Sequence, residues 1–338
     1  MKRIMAMFPT DNTYKEIADE MRAARSVLIF PHINPDGDAL GSAGAICAAL
    51  RKLGKEAFVF VDKEYPRNLD FLENGFSITN NDELNIRADL AIMVDCSGKK
   101  RIGERYKTFA ATKKKILIDH HEVTEGDVEA DYGRIEGDSA ATGEMIFLLI
   151  KALDVELDLY MAGCIFAAIT TDTGNFQHPN TTKRSHEIVG ALYDVKGFNS
   201  KVISNLIYNR NSMESMRLEA IVMESGKSCE NGEIFIGTVT QEMMRDTGCT
   251  SDDIDRFIQK IMTIDGVEIG VLLKETEIGN TKVSLRARSC VDVASIAAEF
   301  GGGGHLRAAG FSLNGVPESS VDIILPKLKE AIIKKTVG

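Results

Sequence analysis

The chain has 338 residues, 44% of them hydrophobic, and a formal net charge of −10 at pH 7. That length is comfortable for two domains, and the acidic balance argues against a protein that binds long nucleic acid, which needs a broad basic face. No apolar run reaches the roughly 18 to 20 residues that span a bilayer. Six scattered cysteines without a Cys-x-x-Cys pair argue against a zinc–thiolate site or disulfide framework. We therefore expect a cytoplasmic protein with no membrane partner, and a small phosphorylated substrate stays compatible with the charge.

Short apolar runs alternate with helical patterns along the first half of the chain. The predicted elements are, in order, a helix at 11–24, a strand at 27–30, a helix at 39–53, strands at 57–61, 90–94 and 115–118, and helices at 140–153, 157–170 and 184–195. Strands and helices alternating at this spacing indicate βαβ units and a largely parallel sheet. The first domain is therefore predicted to be α/β.

The pattern changes beyond a polar, helical connector at about 198–215. The elements predicted after it are a strand at 233–240, a helix at 252–262, strands at 267–274 and 282–288, a helix ending at 296–300, and a helix at 321–335. This order indicates a smaller α+β domain. We expect an N-terminal domain over residues 1–195, a helical linker over 196–215 and a second domain over 216–338.

The first strand is followed at once by side chains that can bind a metal. His32, Asp36 and Asp38 come just after the apolar run 27–30 and before an alanine-rich helix. Open α/β sheets place their sites at such carboxyl ends of strands. A polar turn that caps the helix is the alternative, because Asp and Asn are common in caps.

The same arrangement recurs three more times. Asp95 follows the strand at 90–94, Asp119, His120 and His121 follow the strand at 115–118, and Asp172 follows the helix that ends near residue 170. Crowded buried carboxylates would repel one another unless a cation neutralised them. Oxygen-rich ligand sets with one or two imidazoles suit Mn²⁺ or Mg²⁺ better than Zn²⁺. The set is too large for one ion and predicts a pair of metals, an arrangement that attacks phosphate esters.

These four segments resemble the motifs of the DHH phosphoesterase superfamily. The motif-bearing residues are His32, Asn34, Pro35, Asp36, Asp38, Gly41 and Ser42, then Asp95, then Asp119, His120 and His121, then Thr171, Asp172, Thr173 and Gly174. The run from Gly301 to Gly310 resembles the signature of the associated DHHA1 domain. Length and domain order are similar to the nanoRNase/pAp-phosphatase branch (pAp is 3′-phosphoadenosine 5′-phosphate), which also includes cyclic-dinucleotide phosphodiesterases.

The resemblance implies a role for each matching residue. His32, Asp36 and Asp95 would hold a first metal ion, and Asp38, Asp95, His120 and Asp172 a second one, with Asp95 bridging. His121 would face the substrate phosphate, Asp119 would orient a neighbouring histidine, and Arg101 would lie near the phosphate. Two Mn²⁺ ions are expected, with Mg²⁺ or Co²⁺ also compatible. A homodimer is compatible with the family.

The second domain carries the predicted substrate-binding residues. Gly302, Gly303 and Gly304 lack a Cβ, so their backbone N–H groups can approach a phosphate beside His305; a flexible loop is the alternative. Arg286 and Arg288, two apart on a predicted strand, share a face and are predicted to clamp a terminal phosphate. A solvated strand face is the alternative there.

The predicted function is hydrolysis of short oligonucleotides, dinucleotides or pAp by a water that two metals activate, in a cleft between the two domains. The alternatives are a cyclic di-AMP phosphodiesterase and a nucleotide-binding sensor that has lost catalysis. The glycine–histidine signature argues against a family II inorganic pyrophosphatase, and the length and net charge argue against a long-tract exonuclease of the RecJ kind.

Overall fold

The computed structural model describes residues 9–79, 88–121, 123, 127–250, 254, 256–277, 279–289 and 291–337. The chain divides into two compact units, Met1–Arg210 and Asn211–Gly338. Each unit has its own six-stranded sheet within the described residues. No helix of the described part of the chain is long and apolar enough to cross a membrane.

The first unit is an α/β domain. Its elements are α1 (Tyr14–Ala23), β1 (Ser26–Phe30), α2 (Gly37–Lys52), β2 (Glu56–Phe60), β3 (Ser77–Ile78), β4 (Leu90–Val94), α3 (Lys99–Ile102), α4 (Tyr106–Ala111), β5 (Lys114–Asp119), β6 (Tyr132–Ile135), α5 (Thr142–Ala152), α6 (Leu159–Asp172), α7 (Lys183–Leu192) and α8 (Ser200–Tyr208). The strands pair in parallel in the order β3-β2-β1-β4-β5-β6. The predicted parallel α/β architecture is confirmed.

Alternate residues of the central strands belong to two different apolar cores. Val27 and Ile29 of β1 pack with residues of α1, α2, α5 and α6, whereas Leu28 and Phe30 pack with Ile102, Phe109 and other residues of the opposite face. Both faces of the sheet are covered, which explains why its strands read as continuous apolar runs rather than alternating ones.

The strand order reverses at β1. The chain moves outward from β1 to β2 and β3, and then returns to place β4 on the other side of β1. The carboxyl ends of β1 and β4 therefore border the crevice that forms at such a switch point, where open α/β sheets bind their ligands. The predicted metal ligands other than Asp172, which ends α6, follow β1, β4 or β5 in the sequence, so the fold brings them to this edge.

The second unit is a smaller α+β domain. Its elements are α9 (Met213–Ser225), β7 (Lys227–Cys229), β8 (Ile234–Val239), α10 (Gln241–Thr247), α11 (Phe257–Ile261), β9 (Ile269–Glu277), β10 (Asn280–Ala287), α12 (Val293–Glu299), β11 (Gly303–His305), β12 (Ala308–Asn314) and α13 (Pro317–Val337). Its sheet has the order β11-β12-β10-β9-β8-β7. The strands pair antiparallel except β8 and β9, which are parallel.

The predicted helical connector at 198–215 contains α8 and the start of α9. Three other local expectations differ from the structure. The helix predicted at 252–262 is described as α11 from Phe257 to Ile261, and residues 251–253 and 255 of that prediction lie outside the described ones. The predicted strand at 282–288 ends at Ala287, so Arg288 follows β10 rather than belonging to it. The glycine run is also partly a strand, because Gly303–His305 pairs with β12.

Candidate metal centre

The first group of predicted ligands lies around the carboxyl ends of β1 and β4. His32 Nε2 is 3.7 Å from Asp36 Oδ2 and 3.6 Å from Asp95 Oδ2. One ligand atom from each of these three residues lies within 4.8 Å of the other two. His32 and Asp95 are buried, whereas the Asp36 side chain is 56% exposed. This group can hold a cation that remains open to solvent on the Asp36 side.

A second group lies beside the first and shares Asp95 with it. His120 Nε2 is 3.8 Å from Asp38 Oδ2, 3.2 Å from Asp172 Oδ2 and 3.6 Å from Asp95 Oδ1. Asp38, His120 and Asp172 also have ligand atoms within 4.8 Å of one another. Asp95 directs Oδ2 toward His32 and Oδ1 toward His120, which is the arrangement expected of a carboxylate between two ions.

The backbone of Asp95 has an unusual conformation for a residue with a side chain. Its φ is 60°, and its N–H donates to Ile118 O of the neighbouring strand end at 2.9 Å. A left-handed backbone conformation costs about 1–3 kcal/mol and persists only where the surroundings enforce it. The strain is located at the one carboxylate that contacts both groups.

Both imidazoles direct the same nitrogen into the site. Nδ1 of His32 lies 2.8 Å from Ile33 O, and Nδ1 of His120 lies 3.2 Å from Ser139 O. A carbonyl can only accept, so each Nδ1 carries the hydrogen and each Nε2 presents a lone pair. His120 Nε2 is buried and has no hydrogen-bond partner among the described residues. A buried lone pair facing carboxylates is what a metal ligand requires.

The carboxylates repel one another when no cation is present. Burial raises the pKa of Asp95 and of Asp172 well above its usual range, and the charges of Asp38 and Asp36 raise both further. Burial also raises the pKa of Asp38, with Asp36 adding to the effect. A divalent cation would remove this penalty by favouring the ionised carboxylates. The donor set therefore fits divalent metal ions of the Mn²⁺ or Mg²⁺ type.

Asp119 and His121 form a separate pair at the edge of the site. Asp119 Oδ1 accepts from both the backbone N–H (3.0 Å) and Nδ1 (2.8 Å) of His121. Burial lowers the pKa of His121, but the hydrogen bond to Asp119 and its charge outweigh burial and raise that pKa above its ordinary value. His121 Nδ1 is also 3.8 Å from Asp95 Oδ1. The pair places a readily protonated imidazole next to both groups.

Comparison with known proteins decides the family. The DHH family, N-terminal domain, matches residues 26–169, and the DHHA1 domain matches residues 231–334. The bifunctional oligoribonuclease and PAP phosphatase NrnA of Thermus thermophilus is 30% identical over 326 residues, which cover 94% of each protein. The chain belongs to the DHH family. It is a DHH phosphoesterase with a DHHA1 domain, and the resemblance predicted from its motifs is confirmed.

Solved structures share the architecture of this DHH protein. An exopolyphosphatase-related protein from Bacteroides fragilis has 26% sequence identity and a TM-score of 0.85, and the match covers 94% of this chain and 96% of that one. The exonuclease RecJ bound to manganese has the same fold at 15% identity and a TM-score of 0.52, covering 95% and 94% of the two chains.

Arg101 lies on α3, beside the DHH metal centre. Its carbonyl accepts from the N–H of Ile33 at 2.6 Å, which ties α3 to the loop that carries His32. The guanidinium is exposed, and its positive charge acts on the pKa of His121 in the direction opposite to Asp119. This places the Arg101 charge near His121, and its role toward a phosphate stays a prediction.

The predicted substrate residues of the DHHA1 domain lie on or next to β10 and β11, the two strands that flank β12. Arg286 of β10 pairs with Ala308 of β12, which in turn pairs with His305 of β11; the side chain of His305 lies outside what the structure describes. Gly304 has a φ of +144°, and a Cβ there would lie 2.4 Å from Ala308 O. A Cβ on Gly302 would lie 2.2 Å from Gly310 O, while Gly303 has open space. Close packing against β12 is therefore an additional reason why positions 302 and 304 carry glycine.

Sequence reasoning missed the residues that support the ligands from α5. Thr142 N and Gly143 N donate to Asp38 at 2.7 and 2.9 Å, and Thr142 Oγ1 donates to Asp95 Oδ1 at 2.8 Å. Glu144, in the first turn of the same helix, is fully buried. The available signal was the pair Thr142 and Glu144 at the start of an otherwise apolar helix, since a carboxylate there is either exposed or paired.

Proposed function

We propose that this DHH phosphoesterase hydrolyses short oligonucleotides and pAp. The observation that carries the proposal is the pair of ligand groups that share Asp95 at the switch point of the sheet. The similarity to the NrnA of Thermus thermophilus over 94% of both chains supports this substrate class. The chain has a net charge of −10, which favours short substrates over long nucleic acid.

The residues of the proposed site have different roles in metal binding and in catalysis. His32, Asp36 and Asp95 would hold one ion, and Asp38, Asp95, His120 and Asp172 the other. When bound by these residues, two divalent ions would supply positive charge to the phosphate and would lower the pKa of a nearby water. His121, held by Asp119 and with its pKa raised, supplies a proton and positive charge at the phosphate. The guanidinium of Arg101 adds positive charge near His121.

We propose Mn²⁺ as the physiological metal, with Mg²⁺ and Co²⁺ as substitutes. Carboxylates outnumber imidazoles in the two groups proposed to hold the ions, and neither of these groups contains a thiolate. This composition suits a hard or borderline ion better than Zn²⁺. The proposed setting is the cytoplasm, and a homodimer stays a prediction that light scattering after size exclusion can measure.

A substrate panel tests the proposal. Purified protein is incubated with Mn²⁺ and, separately, with a dinucleotide RNA, pAp, cyclic di-AMP and pyrophosphate. We expect turnover of the dinucleotide and of pAp, and none after chelation. Turnover of pyrophosphate alone would overturn the proposal, and turnover of cyclic di-AMP alone would replace it with the cyclic-dinucleotide alternative.

Asp95→Asn is the matching variant. The neutral amide retains the shape of the carboxylate but removes the charge shared by the two groups, so we expect turnover to be lost and Mn²⁺ binding to weaken. Asp194→Asn, at an exposed carboxylate outside the site, is the control and should behave as wild type. Substantial activity in Asp95→Asn would contradict the bridging role.

A further inference from the structure

One short segment contacts the proposed ligands of the second ion. We call residues 139–143, which lead into and begin α5, the 139–143 segment. Ser139 O accepts from His120 Nδ1 at 3.2 Å, and Thr142 Oγ1 donates to Asp95 Oδ1 at 2.8 Å. Thr142 N and Gly143 N donate to the two oxygens of Asp38 at 2.7 and 2.9 Å. The segment thus fixes the orientation of three of the four ligands directly.

The fourth ligand is connected through one amide. Asn180 Nδ2 donates to Ala140 O at 3.0 Å and to Asp172 O at 3.2 Å, so it links the segment to the backbone of Asp172. The first group is oriented by other contacts. His32 Nδ1 bonds to Ile33 O, and Asp36 Oδ1 accepts from the first N–H groups of α2. The supports of the two groups therefore meet only at Asp95, which belongs to both groups and accepts from Thr142.

A buried carboxylate holds the segment in place. Glu144 is fully buried; its Oε2 accepts from Arg184 Nε at 2.8 Å and its Oε1 from Ser185 Oγ at 2.6 Å. Arg184 also donates to Ser139 Oγ and, at 3.0 Å, to Glu136 Oε2. Ser139 Oγ in turn donates to Glu136 Oε2 at 3.1 Å. The guanidinium thus ties α7 to the residue whose carbonyl orients His120.

An ion pair whose carboxylate is fully buried and whose guanidinium is 32% exposed needs a reason other than stability. Well-packed apolar residues often stabilise a fold as much as a buried salt bridge does, because burial removes the hydration of both charges. What the pair provides is geometry, since a planar guanidinium with several fixed donors allows few arrangements. Here that geometry is transmitted to the 139–143 segment.

We propose that Glu144 and Arg184 are positioning residues that preorganise the second metal site through the 139–143 segment, while the first site forms without them. The inference rests on the metal centre of the proposed function. Loss of the pair releases the segment, so Asp38, His120 and Asp172 lose their fixed orientation together. His32 and Asp36 keep theirs. The consequence is a selective loss of one of two ions.

Calorimetric titration of the full chain with Mn²⁺ alone tests the proposal. Wild type should bind two ions. Glu144→Gln removes the charge at constant shape, and we expect one ion to bind about 10–100-fold more weakly, as substitutions of groups behind metal ligands usually cause. The affinity for the other ion should change much less, because Asp95 is the one ligand of that ion which the segment contacts. The matched control is Leu149→Ala, a fully buried position on the same helix, which destabilises the core but should leave both affinities unchanged.

A second variant covers the case in which Glu144→Gln does not fold. Arg184→Lys keeps a positive charge for Glu144 but cannot donate to Glu144, Ser139 and Glu136 at once, so a smaller loss confined to one ion is expected. Unchanged binding of both ions in a folded variant, or equal weakening of both, overturns the inference. Failure of wild type to bind Mn²⁺ would instead contradict the proposed function.

Discussion

Arg286 and Arg288 have different surroundings although they lie two residues apart. Arg288 Nε donates to Val267 O at 2.7 Å, and its Nη2 donates to Met262 O and Ile264 O at 2.8 and 3.0 Å. These carbonyls belong to the segment between α11 and β9, so Arg288 connects that segment to the end of β10. Arg286 is half-buried on β10 and donates to its neighbour's carbonyl at 3.1 Å. The three hydrogen bonds to backbone carbonyls indicate a structural role for Arg288.

The two arginines should therefore respond differently to substitution. We expect Arg286→Ala to raise KM for a nucleotide about tenfold, the worth of a charge-assisted hydrogen bond, with metal content unchanged. Arg288→Ala should instead reduce the free energy of unfolding by about 1–2 kcal/mol, because three carbonyls lose a charged donor.

Kinetics with dinucleotide or pAp and chemical denaturation of both variants measure these effects. Lys260→Ala, which removes an exposed positive charge from α11, is the control and should change neither quantity. A large KM effect in Arg288→Ala without loss of stability would restore its predicted role as a phosphate clamp. Loss of metal from Arg286→Ala would contradict its placement outside the metal centre.

At the scale of elements, glycines bring the helices of the DHH domain close together. A Cβ on Gly41 of α2 would lie 2.4 Å from Cys164 O of α6, and one on Gly143 of α5 would lie 2.4 Å from the Cβ of Ala168. The α2–α6 approach brings Asp38, at the start of α2, next to Asp172, at the end of α6. The packing of α2 against α6 therefore sets the distance between the two carboxylates, Asp38 and Asp172, of the second ligand group.

Gly41→Ala should be destabilising although alanine favours helices. The added methyl group meets a backbone carbonyl that cannot rotate away, and overpacking of this kind costs about 1–3 kcal/mol. Gly190→Ala, in the exposed part of α7 with no atom within 4 Å of the added Cβ, is the matched control and should stabilise by about 0.5–1 kcal/mol. Thermal unfolding of both variants gives the signs, and a stabilised Gly41→Ala would contradict the close approach.

In the first sheet, the strands that could be predicted from the sequence are the four inner ones, β2, β1, β4 and β5. Runs such as 27–30 and 90–94 are continuous apolar segments, and they are the central strands of the first sheet. The edge strands β3 and β6 were missed because they are short and half-buried, with little pattern. The strand at Gly303–His305 was missed because glycine has no β propensity, and only its pairing with β12 makes it extended.

At the scale of the whole chain, the proposed ligands all belong to the first 210 residues but are far apart in sequence. Their residue types and their positions at the ends of strands or a helix predicted a shared site, and the division into two ligand sets came from the resemblance to the DHH motifs. The contacts that orient them were not predictable, because Ser139, Asn180 and Arg184 act through backbone carbonyls or through a second side chain. Such roles depend on register and helix packing, which motif spacing does not encode.

The same clustering predicts how the stability of the protein depends on pH and metal. The folded-state pKa values of Asp95, Asp172 and Asp38 lie above the ordinary value. Between the ordinary value, about 4, and those raised values, the folded state binds more protons than the unfolded one, so stability falls as pH rises. With a chelator present, we expect the unfolding temperature of wild type to fall, relative to that of Asp95→Asn, as pH rises from about 4 upward.

With Mn²⁺ present the dependence should reverse. Metal binding needs ionised carboxylates and neutral imidazoles, so the metal stabilises the folded state more at higher pH. Thermal unfolding of wild type and Asp95→Asn across this range, with chelator and with Mn²⁺, measures both signs in one series. The difference between the two proteins isolates the metal centre from acid-sensitive groups elsewhere. Glu136 is one such group: burial raises its pKa, but hydrogen bonds from Tyr14 and Arg134 outweigh burial and lower it. A difference independent of pH in chelator would mean that the pKa values of Asp95, Asp172 and Asp38 are not raised in the folded state.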